Sequence, residues 1–358
     1  MEQSELLAVI QQARQDESPE LDLANQGIDH LPPEIGNLSH LSELDLVDNS
    51  LTTLPVEVGN LHNLTALHLS HNRYLAVLPR EVFNLASLRE LSLPGHDTAV
   101  PPEISNLANL EELYIGHGPL KALPPEIGDL PNLSALNVFA TFLERLPPEI
   151  GNLRNLKRLG LLNIGFTPLP ALPPEIGEIS NLIDLFICGN KLTDLPPEVG
   201  DLGNLTELSL IGNMLTSLPA EIGRLKKLEK LHIAGNSFTA LPTEIGGLTS
   251  LKKLVLVNTP VRELPAEIGN LTELEELDIH SLPLETLPAE IGDLANLQEL
   301  NIGGVPLKTL PAEIGKLSKL TKLTIRKADH QRLRTYIKQF PNLETLYFSP
   351  DPVRPTAN

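Results

Sequence analysis

Few residues in this chain have the types and spacing that chemistry requires. Cys188, in the stretch LFICGN, is the single cysteine among 358 residues and has no basic residue beside it there. A reactive thiol needs a cation or a helix N-terminus to lower its pKa, so Cys188 reads as a packed or surface thiol. One cysteine also excludes an internal disulfide framework. No phosphate-cradling glycine loop or dinucleotide fingerprint occurs. His68, His71, His96 and His117 fall at neighbouring positions once the chain is aligned on itself. With strands about 4.8 Å apart, His71 and His117 are expected about 10 Å apart, too far to share a zinc ion. The plain reading is polar residues on an exposed edge; a pH-sensitive patch or a small-molecule or metal sensor is the alternative. Catalytic residues, cofactor and metal are all expected to be none.

Charge is abundant but patterned. The net charge is −19, and thirteen glutamates recur at one slot, from Glu34 and Glu57 through Glu290 and Glu313. A carboxylate in the first turn of a helical segment meets free backbone N–H groups, so this acidity is expected to cap the scaffold. Lys308–Lys338 instead holds nine basic residues against Glu313 and Asp329. That stretch reads as a solvated end, and scarce aromatics weigh against nucleic-acid binding. Five Asn-x-Ser/Thr sequons, beginning at Asn37, Asn63, Asn132, Asn204 and Asn270, all fall in one recurring segment, so the repeat generates them.

That repeat organises everything else. Leu-Pro-x-Glu-Ile-Gly-x-Leu, with small variations, begins at residues 31, 54, 78, 100, 123, 146, 172, 195, 218, 241, 264, 287 and 310. In Leu228–Asn236, LEKLHIAGN, Leu231 and Ile233 alternate with exposed positions, which is strand periodicity. In LPAEIGRLKKL the proline suits a first helical position, and Gly223 a turn or helix end. Aromatics are 3% of the chain and tryptophan is absent, as suits a thin core built from stacked leucines.

Period and consensus together resemble the leucine-rich-repeat family, over about residues 20–326. The resemblance implies an α/β leucine-rich-repeat solenoid, a curved horseshoe. A parallel β-sheet lines its concave side, and short helices or 3₁₀ turns line the convex side. Among family members the chain is similar to cytoplasmic bacterial and Ras-group-related repeat proteins, and its start to repeat arms of Roc-type GTPases. In this family an asparagine after the strand satisfies turn backbone. It is present at Asn49, Asn72, Asn190, Asn213 and Asn236 and absent where His96, Gly118, Thr141, Ile164, Thr259, Leu282, Val305 and Ala328 stand.

The expected organisation is a cap helix in residues 1–17, repeats over 18–326, a second cap helix and strand in 327–348, and a mobile tail, 349–358. The start, MEQSELLAVIQQARQDES, does not read as a secretory signal, and no apolar run is long enough to span a membrane, so a cytoplasmic monomer is expected. The stretch NIGFTPLPALPPEIG carries three extra residues, read as a slip on the rim, with Phe166 in the core.

Outward strand positions gather scarce aromatics and aliphatics on the middle rungs: Tyr114, Asn137, Phe139, Leu162, Phe186, Ile211, His232, Val255 and Val257. A contiguous apolar patch with a polar surround marks an interaction site. What the resemblance implies is a non-enzymatic module gripping a protein of unknown identity on the concave face, with no nucleic acid or membrane. The alternative is the recognition arm of a ligase- or GTPase-associated assembly whose catalytic part is on another chain.

Overall fold

The computed structural model describes residues 1–94, 100–163 and 169–349. His96, Ile164, Phe166 and the tail beyond Ser349 lie outside those residues. The chain divides into two compact units, Met1–Leu182 and Ile183–Asn358, and each is described by itself.

The first unit opens with helix α1 (Gln3–Gln15), which buries Leu6, Ile10 and Ala13. Seven strands follow: β1 (Glu20–Asp22), β2 (Glu43–Asp45), β3 (Ala66–His68), β4 (Glu90–Pro94), β5 (Glu112–Gly118), β6 (Ala135–Thr141) and β7 (Arg158–Leu162). They pair in parallel and in chain order, in a register that sets leucine against leucine, as in Leu44↔Leu67. The second unit repeats the plan with β8 (Asp184–Cys188), β9 (Glu207–Ser209), β10 (Lys230–His232), β11 (Lys253–Val255), β12 (Glu276–Asp278), β13 (Glu299–Asn301), β14 (Lys322–Arg326) and β15 (Thr345–Ser349). Helix α2 (His330–Ile337) lies between the last two strands. Asp329, 5% exposed, ties it to β14 by accepting from Arg326 and Arg332. Each unit is therefore a leucine-rich-repeat solenoid. No helix of the described residues is long and apolar enough to cross a membrane.

Between strands the chain turns through five-residue 3₁₀ segments entered from proline. Pro219, at φ −66° and ψ 148°, leads into Ala220–Arg224. Its ring presets the entry angle, Ile222 is fully buried, and Leu225 N–H closes the turn on Ile222 O at 3.2 Å. In each of the thirteen turns the N-cap is a proline, whose side chain makes no cap hydrogen bond, and the recurring glutamate stands in the first turn. The carbonyl and Cβ of that glutamate also press against the glycine of the preceding turn. A Cβ on Gly223 would lie 2.5 Å from Glu244 O, and one on Gly128 2.3 Å from Glu149 O. The neighbouring turn, more than its own, favours glycine at that slot. Ser105 and Phe83 are the exceptions; Phe83 is fully buried, and a cavity of about 300 Å³ opens beside it.

Buried asparagines stitch successive rungs together. Asn213 Nδ2 donates to Leu210 O in its own rung (2.9 Å) and to Ile187 O in the rung before (2.6 Å). Its Oδ1 accepts from Leu192 N–H at 3.3 Å. Asn49, Asn72 and Asn236 repeat this three-way pattern. Where the asparagine is missing, the backbone substitutes: Leu282 N–H reaches Ile279 O at 3.4 Å, and Val305 N–H reaches Ile302 O at 3.2 Å. At Gly118 and Thr141 the strands run on to seven residues and the two positions pair in the sheet. Thr259 does neither completely, and its buried hydroxyl has no partner. A second, exposed series ties rungs at the sheet entrance, where sequon residues Asn63 and Asn132 donate to Ser39 O and Ala108 O. At the stutter, Leu169 and Leu172 are both buried while Pro170 and Ala171 between them are exposed.

Two stability tests follow from these contacts. Asn213→Ala strands three buried backbone groups and should destabilise by about 2–3 kcal/mol, read as a lowered urea midpoint. Gly223→Ala should cost about 1–3 kcal/mol through its clash with main chain. Gly203→Ala, whose Cβ would meet nothing closer than 4.0 Å, should be near neutral in the same assay.

Candidate functional site

In the first unit the long strands β5 and β6 carry the expected aromatic cluster into the sheet. The register aligns Tyr114, Asn137 and Gly160 in one column and Gly116, Phe139 and Leu162 in the next. Two glycines make the room. A Cβ on Gly116 would sit 2.3 Å from the Phe139 ring, and one on Gly160 would sit 2.4 Å from Asn137 Oδ1. Phe139 therefore lies over the neighbouring strand, and Leu162 beside it is 41% exposed. A shallow depression of about 300 Å³ forms between Tyr114, Asn137, Phe139, Arg158 and Leu162.

Behind Phe139 runs a connected series of side chains. The His117 ring meets the Phe139 ring edge-on, with centroids 5.0 Å apart at 81°. His71 meets His117 at 4.3 Å and 90°, and Asp48 Oδ1 lies 2.8 Å from His71 Nδ1. This corrects the expected 10 Å separation of His71 and His117. Rung spacing fixes backbones, whereas both residues take left-handed backbone (φ 62° each) and their rings reach across the intervening rung. Together with Arg73 and Phe142 they line a cleft of about 410 Å³. Among the described residues no group of three or more His, Cys, Asp or Glu could hold a metal ion. His68 stands apart from this cleft, 3.7 Å from Glu43 and 3.9 Å from Glu90.

In the second unit Phe186, Ser209, His232 and Val255 form one column in register. Phe186, His232 and Val255 are half-buried, Ile211 is 40% exposed, and exposed Met214 stands nearby. Val257 does not belong to an exposed patch: it is 6% exposed. Pairing continues there past the named strand, with Gly235 N–H donating to Val257 O at 2.7 Å, so the residue is enclosed in the sheet. Cys188 Sγ lies 3.3 Å from Ser209 Oγ. Burial pushes the His232 pKa below the ordinary histidine range.

Gly116, Gly160 and Arg158 are site residues that the repeat pattern does not single out. The available signal was glycine at outward strand positions, where β-propensity disfavours it unless something must approach closely.

Tyr114 donates its hydroxyl proton to Glu112, which together with partial burial pushes its pKa up to about 12. The folded chain thus holds this proton more tightly than the unfolded chain. The stability it contributes is complete below the ordinary tyrosine pKa of about 10 and is lost as pH rises through the folded value. Following phenolate absorbance, one of the four tyrosines should titrate near 12, and Glu112→Gln should bring it back toward 10.

Comparison with known proteins agrees with this geometry. A sequence profile described as a leucine-rich repeat region matches residues 20–117 and 205–286. No curated protein matches the chain by sequence. Among solved structures it is similar to a leucine-rich-repeat protein of Leptospira interrogans, with 32% identity over 94% of this chain and 97% of that one (TM-score 0.65). The ectodomain of the receptor kinase GASSHO1/SCHENGEN3 from Arabidopsis thaliana is 27% identical over 90% of this chain and 43% of its own (TM-score 0.58). An internalin from Listeria monocytogenes shares the fold at 18% identity, covering 96% and 93% (TM-score 0.66). With its repeat matched over half the chain and a 32% identical relative aligned almost end to end, the chain belongs to the leucine-rich-repeat family.

Proposed function

We propose that the chain is a non-enzymatic recognition module that binds a protein on the outward sheet face around Phe139. The observation that carries this reading is the Phe139 ring laid over Gly116 beside half-exposed Leu162, an apolar surface on rungs whose outward neighbours are polar. Exposed aliphatics held rigidly on strands lose little entropy when covered, which favours their use as anchors. Tyr114 and Asn137 supply polar groups at the edge of the same depression. In the second unit Phe186, Ile211, His232 and Val255 offer a further stretch of the same kind. The family supports a protein ligand: the GASSHO1/SCHENGEN3 ectodomain was solved in complex with CASPARIAN STRIP INTEGRITY FACTOR 2. A monomer acting in the cytoplasm completes the reading.

The test is quantitative affinity capture on immobilised chain, with circular dichroism confirming that each variant folds. Phe139→Asp with Leu162→Asp should lower recovery of the bound partner by more than about tenfold. Lys226→Ala, on the opposite side of the repeat, should leave recovery unchanged. Full retention by the double variant would sink the reading. Loss confined to Phe186→Asp and Ile211→Asp would transfer the site to the second unit.

A further inference from the structure

The sheets of the two units handle charge differently. In the second unit the first outward residues of β9–β14 are Glu207, Lys230, Lys253, Glu276, Glu299 and Lys322, aligned in register. All six are matched in cross-strand pairs: Lys230–Glu207 at 3.0 Å, Lys253–Glu276 at 2.8 Å, and Lys322–Glu299. In the first unit the same position of β1–β5 holds Glu20, Glu43, Ala66, Glu90 and Glu112. The outward position two residues on begins with Asp22 and Asp45. The ten outward positions of β1–β5 thus carry six carboxylates and no Lys or Arg. Their one basic side chain is His68, 3.7 Å from Glu43 and 3.9 Å from Glu90. Register sets Glu20 against Glu43 and Asp22 against Asp45, and like charges on facing residues destabilise a sheet.

That charge selects what fits the face. A metal ion needs converging ligands, and among the described residues no group of three or more His, Cys, Asp or Glu could hold one. Nucleic acid and anionic membrane are repelled by such a field. Cations spread along a polypeptide match it, because the carboxylates extend over five strands, about 19 Å at about 4.8 Å per strand. An extended chain covers that distance in about six residues. The next strand, β6, presents Phe139 in the shallow depression with Tyr114 and Leu162. An apolar seat and an uncompensated acidic face therefore adjoin on one sheet, within one compact unit.

We propose that the outward face of β1–β5 binds a basic, extended stretch of the partner protein, next to the apolar side chain seated at Phe139. The site rests on the Phe139 surface for its anchor and adds the partner's charge. The probe is a fluorescent octapeptide with leucine at one end and lysine at four of the other positions, serine filling the rest. Anisotropy on the intact chain gives its Kd. Glu20→Gln, Asp22→Asn, Glu43→Gln and Asp45→Asn together should raise Kd by about tenfold or more. Thermal stability should hold or rise, since facing charges are removed and each asparagine keeps the Oδ1 that accepts from Ala24 or Val47 N–H. Glu244→Gln, Glu267→Gln, Glu290→Gln and Glu313→Gln, in turns of the second unit, change net charge equally and should leave Kd unchanged. For the parent chain, Kd should also rise about tenfold between about 0.05 M and about 0.5 M salt. A peptide with glutamate in place of lysine should not bind. Equal Kd for parent and four-carboxylate variant overturns the proposal, as does equal weakening by the turn variant or binding indifferent to salt. Phe139→Ala with Leu162→Ala tests the anchor by itself. Weakening there, with none in the four-carboxylate variant, keeps the Phe139 surface and sinks the basic stretch. The reverse sinks the Phe139 surface and supports a cation-binding face on β1–β5.

Discussion

A single carboxamide, buried and bonded to three main-chain groups in two successive rungs, sets the terms for the rest of the structure. Asn49, Asn72, Asn213 and Asn236 each hold their own rung's last inward carbonyl and that of the rung before, and receive an N–H from the earlier loop. The arrangement marks where the strand gives way to the loop. It also leaves no buried polar group open at the point where sheet becomes turn, where an unmade hydrogen bond would be costly. On the opposite side of each rung, glycine against glutamate main chain sets the closeness of approach.

The candidate site exists where that rule is relaxed. Gly118 and Thr141 stand at the asparagine slot and pair with each other in the sheet, and β5 and β6 both run for seven residues. The extra length brings Phe139 into register between Gly116 and Leu162. Strand length here goes with the Gly118–Thr141 pair and not with a missing asparagine alone, since β11, β12 and β13 lack it and keep three residues. The chain from Asp48 through His71 and His117 then supports that ring from behind, giving a polar edge a packing role.

Features that recur every 23 residues were legible because each is written many times: leucines inward, proline at the turn, asparagine at the strand end. The position of Phe139 on the outward face was legible for the same reason. Features that depend on the reach of a side chain across rungs were not. The His71–His117 contact, the enclosure of Val257 and the clearance at Gly116 are properties of neighbouring pairs, invisible to a column count. The glutamate slot was legible in part: the carboxylate stands in the first turn, as its type suggests, whereas the packing of its main chain on the preceding glycine is again a property of neighbouring turns.

The glycine–glutamate contact also bears on how such an array can grow. Because every ordinary turn presents the same carbonyl forward and the same bare Cα backward, a duplicated 23-residue block fits between any two of its siblings without a new kind of contact. The turns with Phe83 and Ser105 break that equivalence, because each puts a side chain where the ordinary turn leaves a bare Cα, and Phe83 buries a ring there. Ordinary rungs are interchangeable in gene duplication, whereas these two carry a side chain that any new neighbour must accommodate.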